Sequence, residues 1–222
     1  MAVIPAFLAL ALILFAVKEL PRPAGMRRVK NPLSRAELRL LGGTYWSVVV
    51  LAAVFTLARF SEAFLILKAE TAGLSLMLVP LVLVGMNAVY SLSAWPAGAL
   101  SDRVGPRGLL LVGLMVLVAA DLVLAYGQGL AALGIGVALW GLHMGLTQGL
   151  LSALVAGAVP AELRGTAFGM FNLITGVAML LASVIAGALW QGFGPQTTFL
   201  AGAGFASAAT LHLVSRGVRR AT

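Results

Sequence analysis

Long apolar runs separated by short polar gaps dominate the hydrophobic pattern of this chain. The runs cover residues 3–18, 44–68, 75–100, 107–127, 130–159, 165–190 and 196–214, to within a few residues. A helix needs about 20 mostly apolar residues to cross about 30 Å of hydrocarbon, and the first run is the shortest of the seven. The pattern therefore predicts an all-α, polytopic membrane helical bundle of about seven spans.

The gaps between the runs divide the chain into four parts. Residues 1–18 are predicted to form a partial membrane span, with a signal segment or frayed end as the alternative. A signal peptide fits poorly, because no basic stretch precedes the run and no cleavage site precedes Lys18. Residues 19–43 form a basic linker with a short helix predicted at 34–41, where Ser34 and Glu37 make a capping box. Residues 44–214 form a six-helix transmembrane bundle, and 215–222 form a tail.

Composition supports the membrane assignment and excludes several functions. The chain is 61% hydrophobic and 10% charged, whereas about 25% of residues in a soluble domain are charged. The absence of cysteine excludes disulfides, thiol catalysis and cysteine-based zinc sites. Neither a phosphate-binding G-x-x-x-x-G-K-[ST] motif nor a metal-ligand cluster occurs in the sequence. We therefore expect no enzymatic activity, no cofactor and no metal.

The net charge of +8 indicates orientation rather than nucleic-acid binding, because basic residues cluster in the gaps between apolar runs. If the 19–43 gap is cytoplasmic, 13 of the 15 basic residues fall on that side. These are Lys18, Arg22, Arg27, Arg28, Lys30, Arg35, Arg39, Arg103, Arg107, Arg164, Arg216, Arg219 and Arg220. The prediction is an integral protein of the cytoplasmic membrane, with its N-terminus outside and its C-terminus in the cytoplasm.

The most specific motif is G-A-L-S-D-R-V-G-P-R, at residues 98–107 between the third and fourth runs. Glycine at 98 permits close helix approach, and glycine followed by proline at 105 and 106 forces a turn. The motif resembles the hallmark cytoplasmic loop of the major facilitator superfamily, in the copy carried by that family's C-terminal half. Pro106 departs from it, because a second basic residue is common there. Residues 160–169 also resemble the start of the family's eleventh helix.

The resemblance implies an architecture and a partner. Residues 44–214 would be the C-terminal six-helix half, 19–43 the central linker, and 1–18 most of the sixth helix. Carriers of this family bind solute at the midplane between two halves that rock around the site. The chain would then need a missing N-terminal half or a second copy. The resemblance also implies a conformational latch formed by Gly98, Asp102, Arg103, Gly105 and Arg107.

Ionisable residues inside the apolar runs are expensive in lipid and predict a solute or ion pathway. Arg59 and Glu62 are spaced to pair along one helix face, either as a structural ion pair or as groups of a solute or proton pathway. Asp121 is a lone carboxylate in the fourth run. Two interpretations of Asp121 are open: its side chain reaches the membrane interface, or it forms a proton site.

Uncharged polar residues supply the remaining pathway candidates. Asn87 and Tyr90 share a helix face in the third run, and His143 and Gln148 lie with Trp140 in the fifth. Asn172 lies in the sixth run. For each of them, polar bonding or packing between helices is the alternative to a solute contact.

Two hypotheses of different class follow for the function. The first is a secondary active transporter of a small solute, proton-coupled and suited to efflux of a drug-like or other organic solute, present as a C-terminal half. The second is an inert or scaffold-like truncated membrane protein that needs a partner half for any transport. In both, the expected partners are the lipid bilayer and another half or copy. The first adds a small-molecule solute, and neither involves nucleic acid.

Overall fold

The computed structural model describes residues 35–218, with side chains characterised from 37 to 215. The predicted span at 1–18, most of the 19–43 linker and the end of the tail lie outside the described residues. Helices account for nearly all of the described chain, and no strand occurs between residues 35 and 218. The predicted all-α class is therefore confirmed for this part of the chain.

Eight α-helices follow one another in the described residues. They are α1 (Arg35–Leu40), α2 (Gly42–Ala58), α3 (Ala63–Thr71), α4 (Pro80–Tyr126), α5 (Gly129–Thr147), α6 (Leu150–Ala158), α7 (Arg164–Phe193) and α8 (Pro195–Val218). A short 3-10 helix, Ala161–Leu163, precedes α7. The short helix predicted at 34–41 corresponds to α1.

Five helical segments among the described residues are long and apolar enough to cross a membrane. One of them, α4, has 47 residues and would measure about 70 Å at 1.5 Å per residue, more than twice the hydrocarbon thickness. Gly105 interrupts it with φ 78° and ψ 154°, a conformation that side chains with a Cβ rarely adopt. The residues before and after Gly105 are therefore two arms, each long enough to cross a membrane separately. The six runs predicted between 44 and 214 correspond to α2 with α3, the two arms of α4, α5 with α6, α7 and α8.

The core lies where the second arm of α4 packs against α5 and α8, and where α2 packs against α7 and α8. Three polar contacts bind helices across this core. The Tyr45 hydroxyl of α2 donates to the Ala167 carbonyl of α7 at 2.8 Å. The His143 ring of α5 bonds the Gly113 carbonyl of α4 at 2.9 Å. The Thr198 hydroxyl of α8 reaches the Ala186 carbonyl of α7 at 3.3 Å.

Small residues let α5 approach the first arm of α4 closely. A Cβ added to Gly141 would collide with the Met86 carbonyl, and one on Gly145 would collide with the Ser93 hydroxyl. Without a hydrophobic effect between helices in lipid, such close backbone contact is a main source of helix association. Gly149, four residues after Gly145, has open space around it and takes no part in this close contact.

Candidate functional site

A cavity of about 410 Å³ opens where the end of α2, the α5–α6 junction and the middle of α7 meet. Its walls combine polar, aromatic and aliphatic side chains. They consist of Phe55, Thr56, Arg59, Gln148, Leu151, Ser152, Phe171, Asn172, Thr175, Gly176 and Met179. Three of the predicted pathway residues, Arg59, Gln148 and Asn172, therefore line one cavity.

Arg59 reaches this cavity because the helix unwinds at it. Helix α2 ends at Ala58, Arg59 has φ −108° and ψ 69°, and α3 begins only at Ala63. The predicted pairing of Arg59 and Glu62 along one helix face is therefore wrong, because no helix turn connects them. Among the described residues they form no ion pair. Glu62 lies half-buried at the start of α3 and is not a wall of the cavity.

A second helix interruption borders the same cavity. Helix α5 ends at Thr147, and α6 begins at Leu150 after the turn formed by Gln148 and Gly149. The side chain of Gln148 is exposed to the cavity, whereas that of Thr147 is completely buried and donates to the His143 carbonyl at 2.8 Å. Adjacent residues on a helix point about 100° apart. The two pathway candidates predicted in this run are therefore separated: Gln148 lines the cavity, whereas His143 lies in the core.

His143 belongs to the core. Its ring is fully buried, bonds the Gly113 carbonyl and lies 5.4 Å from the Phe55 ring, centroid to centroid. Trp140 is likewise completely buried and packs on Phe60 at 5.4 Å. These contacts match the packing alternative for His143, and its side chain has no surface on the cavity.

Asn87 and Tyr90 lie on the first arm of α4, away from the cavity walls. Asn87 is exposed, and its amide donates to the Leu83 carbonyl of its own helix at 2.8 Å. Tyr90 is half-buried. The structure thus separates these two candidates from Arg59, Gln148 and Asn172.

The hydrogen-bonding character of the cavity follows from which groups are already bonded. Thr56 donates to the Ala52 carbonyl at 2.7 Å, and Thr175 donates to the Phe171 carbonyl at 2.8 Å, so each presents only its acceptor lone pairs. No hydrogen bond to another described residue occupies the side-chain amides of Gln148 and Asn172. Together with Arg59, these amides offer donors to whatever enters.

Several walls of the cavity were not among the predicted pathway residues. Gly176 and Met179 follow Asn172 at the spacing of one helix face, which is the signal that could have identified them. No such signal identifies the opposing walls, which include Phe55 and Ser152. Their local sequence does not determine which side of their helix faces α7.

The loop residues 98–107 occupy the junction between the two arms of α4. Asp102, Arg103 and Arg107 are exposed, and no ion pair joins them to any described residue. Gly105 makes the turn through its positive φ, and Gly98 has open space where a Cβ would stand. The side chains of the predicted latch are thus available to a partner surface.

A second cavity, of about 370 Å³, lies between the start of α4 and α5 and has only apolar walls. Leu81, Val82, Leu133 and Val137 are among them. It offers no hydrogen-bonding side chain to a solute and so lacks the recognition chemistry of the polar cavity.

Comparison with known proteins gives matches over most of the chain. The model of the Major Facilitator Superfamily matches residues 1–182 and, in a second register, 48–221. An uncharacterized MFS-type transporter of Methanocaldococcus jannaschii is 32% identical over 198 residues, covering 85% of this chain and 48% of that protein. Another from Mycobacterium tuberculosis is 31% identical over 110 residues, covering 50% of this chain and 19% of that protein.

An uncharacterized protein of Mycobacterium bovis is 25% identical over 193 residues, covering 85% of this chain and 46% of its own length. The chain thus spans about half the length of the first of these relatives and of the third, and a smaller share of the second.

Proposed function

Because the chain belongs to the major facilitator superfamily, and so to a family of membrane transporters, we propose that it acts as one six-helix half of a secondary active transporter. It moves a small organic solute across the cytoplasmic membrane by alternating access, in the direction of efflux and driven by a proton gradient. The observation that carries this proposal is the polar cavity, which is lined both by Arg59 from an unwound helix end and by Asn172 of α7. Discontinuous helices next to a midplane site are a recurrent feature of secondary transporters.

The walls of the cavity favour a solute with an apolar body and a hydrogen-bond acceptor or acidic group. The rings of Phe55 and Phe171 supply apolar surface, and Arg59 is the only charged wall among the described residues. Its volume of about 410 Å³ lies within the 300–1,000 Å³ typical of small-molecule pockets. The sparse polar lining suits an organic solute better than a strongly hydrated ion.

A partner half is part of this proposal. The exposed Asp102, Arg103 and Arg107 have no ionic partner among the described residues, and α7 exposes large apolar side chains such as Leu180 and Val184. Both features support contact with a second six-helix half, in the same polypeptide or in another one. The basic residues in the 98–107 loop support a cytoplasmic position for that loop and for the C-terminus.

Solute flux tests the proposal. Sealed vesicles containing the purified chain, alone or with the complementary half of the family fold, are loaded with a panel of dyes and organic acids, and a pH gradient is imposed. We expect flux in at least one of the two preparations, and activity only in the paired preparation would identify this chain as one half of a carrier. Flux in neither would favour the inert or scaffold-like alternative and refute the proposal.

A matched pair of variants ties the flux to the cavity. Asn172→Ala removes an amide that is free to bind solute, and each lost hydrogen bond of about 0.5–1.5 kcal/mol corresponds to a roughly 2- to 12-fold weaker apparent affinity. Asn87→Ala removes the same group from an exposed position that bonds only its own helix, and it should leave the affinity unchanged. Equal effects of the two substitutions would exclude the cavity as the solute site.

A further inference from the structure

Asp121 is a buried carboxyl group that the solute cavity does not use. It lies in the second arm of α4, about one and a half turns before that helix ends at Tyr126. Its side chain is completely buried, and neither oxygen has a hydrogen-bond partner in the described part of the chain. The predicted alternative in which it reaches the membrane interface is therefore wrong, because neighbouring helices cover it.

Helix α8 forms part of this cover through Gly202. A Cβ added to that glycine would come within 2.6 Å of Asp121 Oδ2 and 2.9 Å of the Phe60 ring. The carboxyl group and the Phe60 ring therefore converge on the same point of α8. Any larger residue at 202 would displace one of them.

Aromatic rings surround this point. Phe60 lies 5.2 Å from Phe64, 5.4 Å from Trp140 and 5.6 Å from Phe199, centroid to centroid. The Trp140 indole N–H is itself buried without an acceptor among the described residues. The rings make the surroundings of Asp121 largely apolar.

The pairing of α4 with α5 places Trp140 at the level of Asp121. Gly136 of α5 lies against Leu124 of α4, and Gly113 of α4 lies against Thr147 of α5. Both contacts belong to one antiparallel register, in which Trp140 stands opposite residue 120. An unsatisfied donor and an unsatisfied acid thus occupy the same layer of the bundle.

No positive charge compensates Asp121 in this conformation. Besides Asp121, the ionisable side chains on α4, on the segment 59–62 and on the elements packed around them are Arg59, Glu62, Lys68, Glu70, Tyr90, Asp102, Arg103, Arg107, Tyr126 and His143, and α8 contributes His212 almost three turns beyond Gly202. None of these groups bonds to its carboxyl oxygens. An ionised carboxylate with neither partner nor water is among the most costly groups in a bilayer.

The same surroundings disfavour a bound metal cation. A hard cation requires several oxygen ligands, and no group of three acidic, histidine or cysteine side chains occurs among the described residues. The Thr198 hydroxyl, one turn before Gly202, is already bonded to the Ala186 carbonyl. A proton, by contrast, requires only the carboxylate.

We propose that Asp121 is a proton-binding site, separate from the solute cavity, that holds its proton in this conformation and releases it when the unwound segment 59–62 rearranges. Phe60 belongs to that segment, so its movement would uncover the carboxyl group. The acid then gives its proton to the water that enters, and this water hydrates the resulting carboxylate. The coupling to transport rests on the proposed function, whereas the proton binding does not.

Infrared spectroscopy of the full chain in micelles of a detergent without ester groups tests the site without any solute. At neutral pH we expect the C=O stretch of a protonated carboxyl group, lost in Asp121→Asn and retained in the control variants Glu62→Gln and Asp102→Asn. Asp121→Glu keeps a carboxyl group and should shift the band instead of removing it. This variant keeps the test decisive if Asp121→Asn does not fold. Absence of the band from the wild-type chain, or its persistence in Asp121→Asn, would overturn the proposal.

Two further measurements test whether Phe60 shields Asp121 from water and whether the ion bound there is a proton. Phe60→Ala should weaken the band at neutral pH by admitting water, whereas Phe64→Ala, which truncates a ring of the same cluster, should leave it in place. A band that responds to sodium concentration at constant pH would show a cation site and refute the proton site. If the band behaves as expected while no solute flux is found, the transport proposal fails and the proton site stands. If flux is found without the band, the proton site fails and the transport proposal stands.

Discussion

The two histidines of the chain allow a sharp test of which polar residues are structural. His143→Ala removes a completely buried ring that bonds the Gly113 carbonyl of a neighbouring helix, whereas His212 is half-buried and its Nε2 atom has no hydrogen-bond partner in the described residues. Large-to-small substitutions at buried positions cost about 2–5 kcal/mol, mainly through the space left behind. A hydrogen bond between membrane helices adds about 0.6 kcal/mol. We therefore expect His143→Ala to destabilise the bundle by about 3–4 kcal/mol.

The assay is unfolding of the purified chain in mixed micelles by titration with a denaturing detergent, followed by tryptophan fluorescence. His212→Ala is the control, and it should lower the free energy of unfolding by less than about 1 kcal/mol. In binding or flux assays below its unfolding range, the His143→Ala protein should keep the wild-type solute affinity, because its ring has no surface on the cavity. A His143→Ala protein with unchanged stability and lost affinity would refute the structural assignment and return His143 to the solute pathway.

Two further predictions concern packing. Tyr45→Phe removes the hydroxyl that joins α2 to α7 and should lower the free energy of unfolding by about 0.6–1.5 kcal/mol. Tyr126→Phe, at an exposed position, is the control and should change it by less than about 0.5 kcal/mol. Equal values for the two variants in the same detergent titration would show that the Tyr45 hydrogen bond contributes nothing to stability. Gly141→Ala should destabilise by about 1–3 kcal/mol because its Cβ meets the backbone of α4, whereas Gly134→Ala enters open space and should be neutral or stabilising by up to about 1 kcal/mol. A neutral Gly141→Ala would contradict the close approach of α4 and α5.

Local sequence patterns were sufficient for the membrane architecture. A run of about 20 apolar residues has one inexpensive conformation in lipid, a helix, because every backbone N–H and C=O must be bonded within the segment. The turn at Gly105 is equally local, since glycine tolerates its positive φ and Pro106 limits the following backbone. For these reasons the runs between 44 and 214 and their division at residue 105 could be predicted.

The helix interruption at Arg59 could not be predicted in this way. The residues from 59 to 62 include neither glycine nor proline, so nothing local indicates that the helix ends. Packing decides it: Phe60 inserts among Phe64, Trp140 and Phe199, and Arg59 then turns towards the cavity. A sequence pattern records spacing along one helix and contains no information about rings supplied by others.

Hydrophobicity, helix length and turn chemistry act over neighbouring residues, which is why the order of residues is enough to predict a bundle of membrane-spanning helices with a basic loop at 98–107. The role of each polar side chain, in contrast, emerges only when the helices pack. Gln148 and Thr147 are adjacent, yet one faces the cavity and the other the core, and Asp121 is covered by Gly202 of α8 instead of reaching an interface. A polar group in lipid is bonded, exposed to a cavity or left without a partner according to which helix lies beside it, and that is a property of the packed bundle.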